Sequence, residues 1–189
     1  MRGTYIYDFG VQNKGESVLE HTVSYTYLGV TRSTTFMQGA FSSESFFIDL
    51  NNQWRLSPTV ANPDSAIYEG VYESFSNRGI ASVEAKMTIH LFGRSSFRFY
   101  IRSYGESSYD YVMVSQLDKD LNNSTSYTAA DVKAHTRGKS TSGTSLSNYT
   151  LVEYTNISEG DHFITVVYIK DSSSDSGTDS GYVLIPKNQ

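Results

Sequence analysis

The 189-residue chain has no cysteine. This excludes a disulfide framework, a thiolate metal site and a cysteine nucleophile, and leaves stability to sheet packing or to neighbouring subunits. Long apolar runs are missing too. Met1 is followed by Arg-Gly-Thr-Tyr-Ile-Tyr-Asp, with no stretch that could serve as a signal peptide or span a bilayer, so no membrane insertion is expected. Such a start suits a chain used without secretion or one relieved of a leader. Basic charge is in deficit: 15 Lys and Arg against 20 Asp and Glu give a formal net charge of −5. The cations are scattered rather than striped, so no basic field draws a polyphosphate and nucleic acid is not an expected partner.

Aromatic residues, by contrast, are abundant, with 15 Tyr and 10 Phe alongside few runs of good helix formers. That balance favours strands, and the length suits one principal domain. The fold class expected is all-β, an antiparallel jelly-roll-like β-sandwich with an N-terminal β-rich extension.

Residues 1–66 hold strand-like runs such as Thr4-Tyr5-Ile6-Tyr7, Val23-Ser24-Tyr25-Thr26-Tyr27-Leu28 and Ser45-Phe46-Phe47-Ile48-Asp49-Leu50. Their alternation is untidy, and they read as an extension or assembly arm, with Pro58 and Pro63 in the loop that joins it to a sandwich over 67–189. An unpaired strand edge is a ready docking surface, which is why an arm of this kind suits assembly. Beyond Ile67 the punctuation is regular. Ala85 to Leu91 alternates as a strand, and in Phe97-Arg98-Phe99-Tyr100-Ile101-Arg102 the period of two puts Phe97, Phe99 and Ile101 on a core face. Arg98, Tyr100 and Arg102 then face water or a partner. Residues 118–125 are a polar loop, and residues 125–148, rich in Ser, Thr, Gly and Asn, read as a long surface excursion of the sort that carries function. Strong strands resume at Tyr149 and end in His162 to Lys170 and Gly181 to Ile185.

No catalytic motif stands out. The histidines His21, His90, His135 and His162 lack metal-ligand spacing, and no Gly-x-Ser-x-Gly elbow positions a serine. Glu106 and Asp110 flank Tyr109 in a tight turn, where accepting backbone N–H groups accounts for both, ahead of a glycosidase pair. Asp171, Asp175 and Asp179 recur every fourth residue in a Ser/Gly loop and could offer hard oxygens to Ca²⁺, although a solvated acidic turn outweighs that reading; no other cofactor is expected. For glycan or partner contact the candidates are Trp54, Arg98, Tyr100, Arg102, Tyr104, Tyr109 and Tyr111. Flat aromatic faces pack on the apolar face of a pyranose, and Arg can stack on Tyr or grip an acidic partner. Ordinary sheet packing is the competing role for each of them.

The run from Tyr100 through Ser103-Tyr104-Gly105-Glu106 and Tyr109-Asp110-Tyr111 to Val114, then Gly160-Asp161-His162 through Lys170-Asp171, and Gly177-Thr178-Asp179-Ser180-Gly181-Tyr182, resembles jelly-roll modules of bacterial adhesins and surface enzymes. The resemblance covers about residues 70–186. Glu73 to Gly79, Tyr109 to Asp118 and the ending Tyr182 to Gln189 also look like proteins of gut Bacteroidales and of the phages that infect them. What this implies is a non-enzymatic virion structural protein, such as a capsid decoration, head-fibre or tail-fibre component. It would assemble with itself or other virion proteins and bind host or mucosal glycans. The alternative is a carbohydrate-binding or adhesion module on a bacterial cell surface.

Overall fold

The computed structural model describes residues 19–27, 30–38, 45–121, 128–138 and 145–187, with side chains from residue 46 onward. They fall into two units, Met1–Ser42 and Ser43–Gln189. In the first, β1 (Leu19–Tyr27) and β2 (Val30–Gln38) pair antiparallel from Leu19↔Gln38 to Tyr27↔Val30. The run Thr4 to Tyr7 lies outside the described residues.

The second unit holds β3 (Ser45–Asp49), β4 (Trp54–Leu56), β5 (Tyr72–Ser74), β6 (Val83–Phe92), β7 (Ser96–Tyr104), β8 (Tyr111–Ser115), β9 (Val132–Arg137), β10 (Thr150–Thr155), β11 (Asp161–Lys170) and β12 (Ser180–Leu184). They form two five-stranded antiparallel sheets, β10-β7-β12-β5-β4 and β3-β6-β11-β8-β9. From β5 onward the chain crosses between sheets at each step except β8 to β9. That interleaving, β5-β12-β7-β10 against β6-β11-β8-β9, is the double Greek key of a jelly roll. The protein is an all-β antiparallel sandwich. Among the described residues no helix is long and apolar enough to cross a membrane.

Period-two patterning builds the core. Ala85, Met87, Ile89 and Leu91 of β6 point inward against Phe97, Phe99 and Ile101 of β7, all at most 4% exposed, as the alternation predicts. Two side chains tie the sheets across this core. Trp54 of β4 donates its indole N–H to the Ala85 carbonyl on β6 at 3.0 Å, and Tyr154 of β10 donates its hydroxyl to the Ser115 carbonyl on β8 at 2.5 Å. Burial pushes the Tyr154 hydroxyl far above its ordinary pKa, so it stays a donor at any working pH.

The structure departs from the sequence reading at two places. β3 pairs with β6 and β4 with β5, so the described strands of the two sheets begin at Ser45, ahead of Ile67. A three-residue strand such as Trp54-Arg55-Leu56 carries too little periodicity to be read alone. The supposed excursion 125–148 contains β9, an edge strand whose alternation is Val-Lys-Ala-His-Thr-Arg. Its single large apolar residue hides the pattern.

Candidate functional site

Most of the aromatic and arginine candidates are committed to the fold. Trp54 is 2% exposed and part of the main core, which removes it from any sugar surface. The outer face of β7, read from sequence as wet or partner-facing, is largely roofed by the chain itself. Tyr68, from the loop after β4, and Tyr149 pack there with Tyr182 and Leu184, and Tyr100 and Tyr104 are half-buried against them. Arg102 is buried in this second cluster, its guanidinium 5.3 to 5.8 Å from the ring centroids of Tyr104, Tyr149 and Tyr182. That geometry is cation–π packing within one chain. Gly177 (φ +62°) lies flat on Tyr104, where any Cβ would fall 2.5 Å from the ring. Arg98 is exposed, as is Tyr109 on its turn. Tyr111 alone among the candidates reaches a sizeable cleft.

The three recurring aspartates are separately employed. Asp171 accepts the Ser173 backbone N–H at 2.8 Å and its hydroxyl at 2.7 Å. Asp175 takes the Gly79 N–H on both oxygens and faces buried Lys170 at 3.4 Å. Asp179, fully buried, accepts Ser176 N–H at 3.0 Å. Asp175 staples the loop after β11 to the 76–82 turn, with Ser76, Arg78 and Ser82 adding bonds, while the Asp171 and Asp179 carboxylates brace the loop from within. Among the described residues no group of three side chains is arranged to hold a metal ion.

This loop carries a pH signature. The Ser173 hydroxyl holds Asp171, and the Gly79 N–H holds Asp175, below the ordinary carboxylate range. Their stabilisation is complete above the unfolded value near 3.8 and is lost as pH falls through the lower folded values. Asp179 runs the other way, because burial raises its pKa and the like charges of Asp110 and Asp175 add to that. Its ionised form therefore costs stability near neutral pH. Asp179→Asn is expected to raise the melting temperature there and to converge with the parent below about pH 4. A lower melting temperature at neutral pH would show that attraction to Lys170 outweighs burial.

His162 sits between Asp118, at 2.7 Å from Nδ1, and Ser158, whose hydroxyl and carbonyl both lie 3.1 Å from Nε2. The order Asp-His-Ser matches a hydrolase relay in outline, but the hydrogen bonding differs. Acceptors at both nitrogens favour the doubly protonated ring, and its pKa is raised, chiefly by Asp118. The Ser158 carbonyl at Nε2 accepts from an N–H there, whereas a general base needs that nitrogen's lone pair. Asp118 also accepts the Phe163 N–H at 3.0 Å, so the cluster pins the segment after β8 to β11.

The larger cleft, about 580 Å³, lies over the outer face of β8 and β9. The pairs Tyr111↔Arg137 and Met113↔His135 place these four side chains on one face of the sheet. Tyr111 and Met113 form the floor, continuous with Val167 and Ile169 of β11 and with Leu121 beneath the loop. Val132 and Lys133 close one end after a register shift at Val114/Ser115, and Ser108 lies at the Arg137 end. The Arg137 Nη1 donates to the Ser108 carbonyl at 3.1 Å. Among the described residues no carboxylate lines the cleft. A smaller hollow of about 130 Å³ on the other sheet is chemically closed, since Glu73 is held by Arg55 at 2.7 Å and Ser57 at 2.8 Å.

Sequence reasoning found Tyr111 but not its partners Met113, Lys133, His135 and Arg137. The signal available was the period-two series Lys133, His135, Arg137 in a polar segment.

No family model matches the sequence, and no curated protein matches it. Among solved structures the chain is similar to TmCBM61 in complex with beta-1,4-galactotriose, at 15% identity and a TM-score of 0.38, over 78% of this chain and 88% of that one.

Proposed function

We propose that the chain is a non-catalytic β-sandwich module that binds carbohydrate through the open cleft over β8 and β9. The observation that carries this reading is the half-buried Tyr111 ring packed on buried Met113 and bordered by hydrogen-bonding side chains, in a cleft of ligand size. A pyranose offers an apolar C–H face and a ring of hydroxyls, and an aromatic floor with a polar rim complements both. Glycoside cleavage calls for two carboxylates across one cleft, about 5 or 6.5–9.5 Å apart. A lining without carboxylates supports binding without turnover.

Titration of a soluble polysaccharide panel by calorimetry tests it. Tyr111→Ala is expected to weaken binding at least about tenfold, while Tyr111→Phe keeps the ring and most of the affinity. Equal binding by the alanine variant, with its fold intact by circular dichroism, would remove the cleft from the reading.

A second reading, assembly into a virion, is favoured by the hairpin β1–β2. Among the described residues β1 and β2 make a two-stranded sheet of their own; such a sheet is marginal in water by itself, and a strand edge is a ready docking surface for a neighbour. Light scattering on the full chain and on residues 43–189 tests this. Oligomers formed only by the full chain support an assembly arm, and two monomers count against it.

A further inference from the structure

The cleft is cationic on an acidic protein. The chain carries a formal net charge of −5, yet among the described residues the cleft is lined by Lys133 and Arg137, with His135 between them, and by no Asp or Glu. The acid nearest in sequence, Asp131, is not a lining residue but is held at the border by Thr128. Its carboxylate accepts the Thr128 N–H and hydroxyl, both at 2.8 Å, and faces Lys119 at 3.6 Å. A concave surface lined by one sign of charge over low-dielectric walls focuses its field on whatever enters.

The side chains are also spaced for an extended ligand. Alternate residues of a strand recur about every 6.6 Å on one face, so His135 and Arg137 stand side by side along β9 next to the Tyr111 and Met113 floor, and Lys133 lines the cleft from the register shift beyond them. The bond from Arg137 to the Ser108 carbonyl anchors the guanidinium at the rim, and its planar fork retains N–H donors matched to a two-oxygen anion. Lys133 lines the other end of the cleft, its ammonium 5.5 Å from the ring of Tyr154 at the edge of the core.

We infer that the cleft is selective for an acidic saccharide, a sugar chain bearing carboxylate or sulfate groups, with the anion held by Arg137 and Lys133 and a ring laid on Tyr111. This rests on the carbohydrate-binding reading above and narrows its ligand class. A neutral glycan would bring no anion to Arg137 and Lys133, whereas a featureless polyanion would leave the aromatic floor unused.

The test is affinity electrophoresis or calorimetry of the full chain against polygalacturonate, chondroitin sulfate, a neutral galactan and duplex DNA, at low and high salt. Acidic polysaccharides are expected to bind best and to weaken with salt. Arg137→Gln and Lys133→Gln should each reduce that binding at least about tenfold without lowering the melting temperature, and Tyr111→Ala should reduce it as well. Preference for polygalacturonate identifies the carboxylate, and preference for chondroitin sulfate identifies the sulfate. Binding of galactan unaffected by Arg137→Gln overturns the acidic selectivity and leaves carbohydrate binding standing. Binding of DNA as tightly as the acidic sugars, with no loss in Tyr111→Ala, reduces the cleft to charge adsorption and overturns the inference. Binding of none of the polysaccharides sinks both readings.

Discussion

Trp54→Ala is expected to destabilise the sandwich by about 3–5 kcal/mol, the range for truncating a fully buried aromatic. The loss has two parts. The indole fills the core near Gly181, where its ring edge lies 2.9 Å from the position a Cβ would take, so truncation opens a cavity between packed sheets. It also removes the N–H bond to the Ala85 carbonyl, one of the polar ties between sheets. Trp54→Phe separates the parts, since it retains much of the volume and is expected to cost about 1–2 kcal/mol. Urea unfolding followed by far-ultraviolet circular dichroism measures both variants. A loss below about 1 kcal/mol for the alanine variant would mean that the core collapses into the space. Because Trp54 is the chain's one tryptophan, its emission should also stay unchanged on saccharide binding at the β8–β9 cleft.

The second large effect is at Asp110. Its side chain is fully buried and accepts two backbone N–H groups, from Glu106 at 2.7 Å and Asp171 at 3.1 Å. It thereby joins its own turn to the strand end after β11. Asp110→Ala strands both donors away from water and is expected to cost about 3 kcal/mol, since charge-assisted bonds are lost and nothing replaces them. Gly105→Ala should reproduce part of this effect, because its Cβ would fall 2.5 Å from the Asp110 carboxylate and 3.0 Å from the Tyr168 hydroxyl. Thermal melts of the two variants check the link. A melting temperature within about 1 °C of the parent for Asp110→Ala would show that the turn re-forms around water.

The Asp110 result shows how local chemistry was legible. A turn holding Glu106, Tyr109 and Asp110 needs acceptors for its N–H groups, and the structure puts Asp110 in that role, while the Glu106 carboxylate lies 2.7 Å from the Ser173 hydroxyl oxygen and shares its one proton with Asp171. Likewise the alternation in β7 correctly assigned Phe97, Phe99 and Ile101 to the core. The opposite face of the same strand was not legible. Whether Arg102 meets water or a Tyr cluster depends on where Tyr68 and Tyr149 arrive, from segments 34 residues before and 47 after it in the chain. Nothing in the strand's own pattern encodes a roof.

The cleft shows the same divide. Residues 125–148 stood out as the segment to watch, and β9 within it does supply Lys133, His135 and Arg137. Their importance comes from pairing with β8, which sets Tyr111 against Arg137 and Met113 against His135. A strand's period identifies which of its residues share a face, but long-range pairing decides what that face sees.

Sequence by itself thus determined the all-β class, the inward stripes of the strongest strands, the absence of cysteine chemistry and the acidic balance of the chain, because composition and period two are local properties. Only the tertiary structure decided that β3 and β4 complete the sheets, that Trp54 is core, that the three aspartates serve separate backbone groups, and that a positive cleft stands on a negative protein. Each of those depends on which distant segments meet, and the free energy of that meeting is shared across the whole sandwich.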